Sequence, residues 1–150
     1  MRVYRFLVLF FVSLVLFSIS VISNVEAGIW PTSAATLCWQ VTTSDNETGI
    51  VRLKSFPMGA SNYLLSGKVI FNGKIQNIIN GNAVVGTNVL MTVNAAGKDS
   101  ESFWTSTGYG VLSGATLNGK IESIGHNYNR TDKSIDTSYN TVTITKITCP

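Results

Sequence analysis

Residues 64–78 read LLSGKVIFNGKIQNI, and residues 111–124 read VLSGATLNGKIESI. Both carry Leu-Ser-Gly, a short spacer and then Asn-Gly-Lys-Ile-x-x-Ile, and a tyrosine precedes each, Tyr63 and Tyr109. The spacer runs Lys68–Phe71 in the first copy and Ala115–Leu117 in the second. Alternating apolar residues running into Asn-Gly are the strongest short hairpin signal, because a type I′ turn needs positive φ at both central residues. Two matching hairpins predict an all-β protein, an antiparallel barrel or sandwich built from two related halves.

The flanking segments carry the same period. In TLCWQVTT (36–43), Leu37, Trp39 and Val41 share one face and Cys38, Gln40 and Thr42 the other. Val51 and Leu53 face in while Arg52 and Lys54 face out. The first hairpin puts Tyr63, Leu65, Gly67, Val69 and Phe71 together. Asn80-Gly81 reads as a further turn, followed by a long strand from about 83 to 94 with Val85, Thr87, Val89, Met91 and Val93 on one face. In ESFWTST (101–107) the adjacent aromatics must point oppositely, and Trp104 is placed inward between Ser102 and Ser106. Gly119 and Ile121 face in, and HNYNRTDKSIDTS (126–138) reads as the longest loop. The last strand, 139–148, faces Val142 and Ile144 inward. One apolar and one polar face per strand is the pattern of an antiparallel sheet around a single core. Eight or nine strands can be counted, and closure of an all-antiparallel barrel needs an even number, so eight are expected.

Two segments set the compartment. Arg2 and Arg5, the apolar run Phe6–Ile22 and the small residues of Val25-Glu26-Ala27 predict a signal peptide over 1–27, removed to leave one domain, 28–150. The alternative is an uncleaved membrane anchor, the single membrane contact the sequence suggests. Removing Arg2, Arg5 and Glu26 from the 11 basic and 8 acidic residues leaves a net charge of about +2, spread singly along the chain. Neither nucleic acid nor anionic lipid finds a basic stripe in it, and nothing in it sets an oligomeric state.

Cys38 and Cys149 are the two cysteines of an exported chain, so a disulfide is expected. Both have the outward parity of their strands, one near the beginning of the first and one at the end of the last. Antiparallel pairing of first with last would bring them to disulfide distance, and that pairing is what closes an up-and-down barrel. A sandwich can also bring its ends together.

Little points to catalysis. His126 is the sole histidine and reads as a loop residue, although Ser123 and Asp132 lie near it in sequence. No nucleophile-elbow motif occurs, and no metal or cofactor set is visible, since both cysteines are assigned to the disulfide. The sequons Asn46-Glu47-Thr48 and Asn129-Arg130-Thr131 are acceptors only in a eukaryotic host.

The inward face is the one suggestive constellation. Trp39, Tyr63, Phe71, Met91 and Trp104 with Ser102 and Ser106 give apolar walls and a few polar groups, as in a pocket for a small, largely apolar ligand. A filled core would have the same composition. In strand count, meander order and inward tryptophans, residues 36–148 resemble the calycin group, the lipocalin- and avidin-like barrels. The resemblance implies ligand binding at a barrel mouth. Gly28-Ile29-Trp30 matches the lipocalin Gly-x-Trp in letters, but it precedes Pro31 instead of opening a long strand and is set aside. Three functions follow: a secreted, non-enzymatic binding barrel, a structural or adhesive surface module with a solid core, and a hydrolase using His126. Interior volume beside Trp104 discriminates the first two.

Overall fold

The computed structural model describes residues 30–71 and 73–150, so the signal peptide read over 1–27 lies outside the described residues. The chain forms eight strands: β1 Ala35–Thr43, β2 Thr48–Pro57, β3 Asn62–Phe71, β4 Lys74–Val85, β5 Asn88–Lys98, β6 Ser102–Ser113, β7 Gly119–Asn129 and β8 Ile135–Ile147. They pair in sequence order as one closed antiparallel barrel. β8 returns to β1, from Cys38 opposite Ile147 to Thr43 opposite Val142. The barrel, not the sandwich, is the fold.

The cysteines meet as their parity requires. Cys38 and Cys149 form a disulfide with Cα atoms 5.1 Å apart. Cys38 faces outward, yet it is fully buried, because the C-terminal segment lies over it.

The meander gives the barrel two unlike ends. β1, β3, β5 and β7 all run from one end to the other, and the even strands run back. At the starting end of β1, Trp30 closes the interior. It is 3% exposed, its ring centroid lies 6.2 Å from that of Trp39 and 5.7 Å from that of Tyr63, and its Nε1 donates to Ser55 Oγ at 3.2 Å. Trp39 is fully buried and donates from Nε1 to the Leu117 carbonyl at 2.9 Å. Pairing each indole N–H removes the cost of burying it. Trp30 is thus a core residue; its position before β1 lets it cap the end instead of lining it.

The repeat does not mark two halves. The first Asn-Gly does make a hairpin: Phe71 pairs with Lys74, and Gly73 between them has φ 74°. In the second copy the turn is Gly114–Asn118, Leu117 takes the left-handed conformation (φ 56°), and Gly119 already opens β7. The two hairpins are three strands apart, an odd number, so they point to opposite ends of the barrel and cannot be equivalent.

Three further expectations are corrected. Asn80-Gly81 is not a turn but lies inside β4, beside a bulge between Ile78 and Asn80. The extra residue there switches the inward set from Gln76 and Ile78 to Gly81 and Ala83. Thr87 belongs to the β4–β5 turn and not to an inward face, since β4 ends at Val85 and β5 starts at Asn88. The loop read over 126–138 shrinks to residues 130–134, and His126 lies on the outer face of β7, its Nδ1 3.0 Å from Thr137 Oγ1.

Candidate ligand-binding mouth

The end opposite Trp30 is open. Inside it lies a cavity of about 300 Å³ lined by Phe71 and Trp104 and, between them, by the neutral polar side chains of Gln76, Ser106, Asn127 and Asn140. Beneath is a smaller, mostly apolar void of about 110 Å³, bounded by Leu53, Met91, Val93 and Ile144. Val41, Gln76, Ser106, Ser123 and Val142 line both, so the two form one column descending from the mouth toward the core.

The alternation of each strand explains this gradient. Along β7 the inward positions change from Ile121 through Ser123 and Gly125 to Asn127, and along β8 from Ile144 and Val142 to Asn140 and Ser138. Apolar residues thus face in at the closed end and polar ones at the open end. Asn140 Nδ2 donates to Ser138 Oγ at 3.2 Å, and Ser123 Oγ donates to the Asn140 carbonyl at 3.4 Å, which braces the β7–β8 wall.

Trp104 is the principal apolar wall. It is 8% exposed, and its ring lies flat on Gly97, where an added Cβ would come within 2.4 Å of Nε1. That packing leaves Nε1 buried without a hydrogen-bond partner. Lys74 Nζ sits 5.1 Å from the ring centroid and pairs with Asp99 at 3.3 Å, so a cation is held against the indole face. Asp45 and Glu47, on the β1–β2 turn, stand at the rim of the same cavity.

The seven ligand contacts expected from sequence divide between the ends. Phe71, Trp104 and Ser106 are brought together at the mouth, and Met91 bounds the lower void. Trp39 and Tyr63 pack with Trp30 in the closed end. Ser102 is inward and buried, but its Oγ donates to Asp99 Oδ1 at 3.0 Å, so it shapes the β5–β6 turn. Gln76, Asn127 and Asn140 are absent from that set, and Ser123 enters the sequence reading only as a neighbour of His126. A signal for them did exist, namely polar residues at inward parity near strand ends.

Asp99 organises that turn. Its Oδ1 accepts the backbone N–H groups of Glu101 at 2.9 Å and Ser102 at 2.8 Å. These bonds, the one to Glu101 foremost, hold its carboxyl at about 2. A lowered folded-state pKa means the contribution is complete above the ordinary carboxylate value and is lost as pH falls through about 2. Carbon-detected NMR titration should therefore find Asp99 ionised at pH 3, with Trp104 and Lys74 resonances moving only below that. A midpoint at the ordinary value would refute the turn geometry.

Among the described residues no three His, Cys, Asp or Glu side chains converge as a metal set. No protein-family model matches the chain, and no curated protein matches it. A solved structure of similar form is that of EF1p2_mFAP2b bound to DFHBI, 12% identical with a TM-score of 0.44, covering 75% of this chain and 92% of that one.

Proposed function

We propose that the protein is a secreted, non-enzymatic barrel that binds one small amphipathic molecule in its open mouth. The observation that carries this reading is the cavity between Phe71 and Trp104, about 300 Å³ and continuous with the void below. That volume stands at the lower bound of small-molecule pockets, so the ligand is compact. An aromatic or alicyclic ring between Phe71 and Trp104 would present its polar edge to Gln76, Asn127 and Asn140. The ligand is therefore less apolar than the sequence suggests.

Charge narrows it further. The carboxylates at the rim are Asp45 and Glu47, and the nearby cation, Lys74, is already paired with Asp99. An anionic ligand would meet repulsion there, whereas a neutral or cationic one would not. His126 stands at the edge of this cavity, but its ring is engaged with Thr137 Oγ1 at 3.0 Å on the outer face of β7 and β8. The disulfide suits an oxidising compartment, in line with the leader read from residues 1–27.

The test is a tryptophan-fluorescence titration with matched ring compounds bearing an amine, a hydroxyl or a carboxylate. Saturable binding is expected for the first two and at least tenfold weaker binding for the third, with Asn127→Leu weakening the first two. No response from any ligand class, in a protein whose Trp104 emission is resolved by Trp30→Phe/Trp39→Phe, would leave a solid structural module.

A further inference from the structure

We propose that the closed end of the barrel docks on an anionic membrane surface, leaving the mouth facing the solvent. The inference rests on how charge is distributed over the two ends and on an apolar belt backed by cations at the closed one, and it is independent of what the mouth binds.

The turns of the closed end carry no charge. They are Trp30–Ala34, Met58–Ser61, Gly86-Thr87 and Gly114–Asn118. Above them, outward residues near the closed end of five consecutive strands are apolar and exposed: Phe56, Leu64, Val84, Leu90 and Val111, with Met58 protruding beyond at 69% exposure and the uncharged Asn62, Asn88 and Ser113 between belt and turns. Register makes them a belt. Phe56 pairs with Leu64, Val84 with Leu90 and Leu90 with Val111, while Val84 lies diagonal to Leu64 through Asn82.

Three cations stand one and two outward positions behind that belt, and a fourth, Lys120, stands level with its edge. Lys54 follows Phe56 along β2, Arg52 pairs directly with Lys68 across β2–β3, and Lys120 pairs with Val111. Spacing along the strands places Lys54, Arg52 and Lys68 roughly 7–14 Å from the belt. That distance matches an apolar edge at the acyl boundary with cations at headgroup depth. Facing Arg52 with Lys68 is unfavourable without a counter-charge. The one ion pair among the described residues, Lys74–Asp99, is at the other end. Of the described acids, all but Glu122 lie in or beside the open-end turns: Asp45, Glu47, Asp99, Glu101, Asp132 and Asp136. The fold thus sets Arg52, Lys54, Lys68, Lys120 and Lys146 against the single acid Glu122 on the closed half, while the six acids of the open end share it with Lys74, Lys98, Arg130 and Lys133.

The surface lies on a membrane and does not span it. Beyond the belt, the outward residues run Thr92, Asn94 and Ala96 along β5 and Tyr109, Thr107, Thr105 and Phe103 along β6, so polar residues interrupt the apolar surface before it forms a band tall enough for a barrel in the bilayer.

Vesicle flotation tests this with the oxidised protein and vesicles of phosphatidylcholine alone or mixed with phosphatidylserine. Binding is expected to the mixed vesicles only, and to fall as salt is raised. Lys54→Gln/Lys68→Gln should weaken it about 25-fold, about fivefold per cation. Met58→Asp/Leu90→Asp should abolish it at every salt concentration. All four side chains are exposed, so unfolding midpoints and the fluorescence response of the mouth should not move. Lys98→Gln/Lys133→Gln, at the open end, serves as the control and should bind normally. Absence of binding to phosphatidylserine vesicles at low salt overturns the proposal, as does equal loss in the open-end control. A solution dimer that Met58→Asp/Leu90→Asp dissociates, with vesicles unbound, also overturns it and assigns the belt to a second copy of this chain.

Discussion

Trp39→Ala should cost about 3–5 kcal/mol of folding stability, the range for removing a large aromatic side chain from a core. Trp39 is fully buried, packs against Trp30 and holds the Leu117 carbonyl. The truncation therefore opens a cavity under the Trp30 cap and leaves that carbonyl unpaired. Leu117 makes the second loss matter, since a leucine with φ 56° is strained and is kept there by its burial and by this bond. Trp39→Phe separates the contributions. It keeps most of the ring volume and loses the hydrogen bond, so it should fall about 1–3 kcal/mol below wild type. Urea unfolding followed by far-UV circular dichroism measures both. Equal losses in the two variants would mean that the bond to Leu117, and not the packing, holds the closed end.

Cys38→Ser/Cys149→Ser should be the other severe change. The link joins residues 111 apart, and the chain-entropy model assigns a ring of that size about 4–5 kcal/mol, an upper value. In this barrel the bond also lies beside the β1–β8 seam, where the chain's two most distant strands must find each other. The double serine variant should therefore refold more slowly as well as unfold at lower urea, because the seam must close without a tether. Stopped-flow refolding and equilibrium unfolding of the oxidised and variant proteins check the two effects. An unchanged midpoint would show that pairing across the seam suffices alone.

What could be read from the sequence depended on whether the interior was dry. Where the core is apolar, alternation is plain: Leu37, Trp39 and Val41 in β1, and Val142 and Ile144 in β8, were placed on the correct face without help. Where the interior opens to water, inward and outward residues are both polar and the period vanishes. Asn127 and Asn129 at the end of β7, with Asp136 and Ser138 at the start of β8, looked like loop for that reason, although they are strand. The two ends of the stretch that reads as a loop are strand, and Asn127 and Ser138 within them line the cavity. Turn chemistry failed differently. Asn-Gly marks a turn at Gly73, where φ is positive, but a strand interior at Gly81 and a strand entry at Gly119, where the missing Cβ lets a neighbouring strand approach closely. The cysteines were legible because parity and chain order constrain a pair of residues more tightly than either constrains a turn. Trp30 was missed because it caps the barrel from outside any strand, where no periodicity reports it.

The Cys38–Cys149 bond also decides how the molecule carries mechanical load. A pull applied through the segments outside the two cysteines enters at one sulfur and leaves at the other, across Cα atoms 5.1 Å apart. The strands between them lie off the line of force and feel none of it, so the oxidised barrel is an inextensible bead in any tether that contains it. Reduction puts those strands in series. The 111-residue interval could then pay out on the order of 370–400 Å of contour, turning the bead into a spring whose length is set by a single redox event.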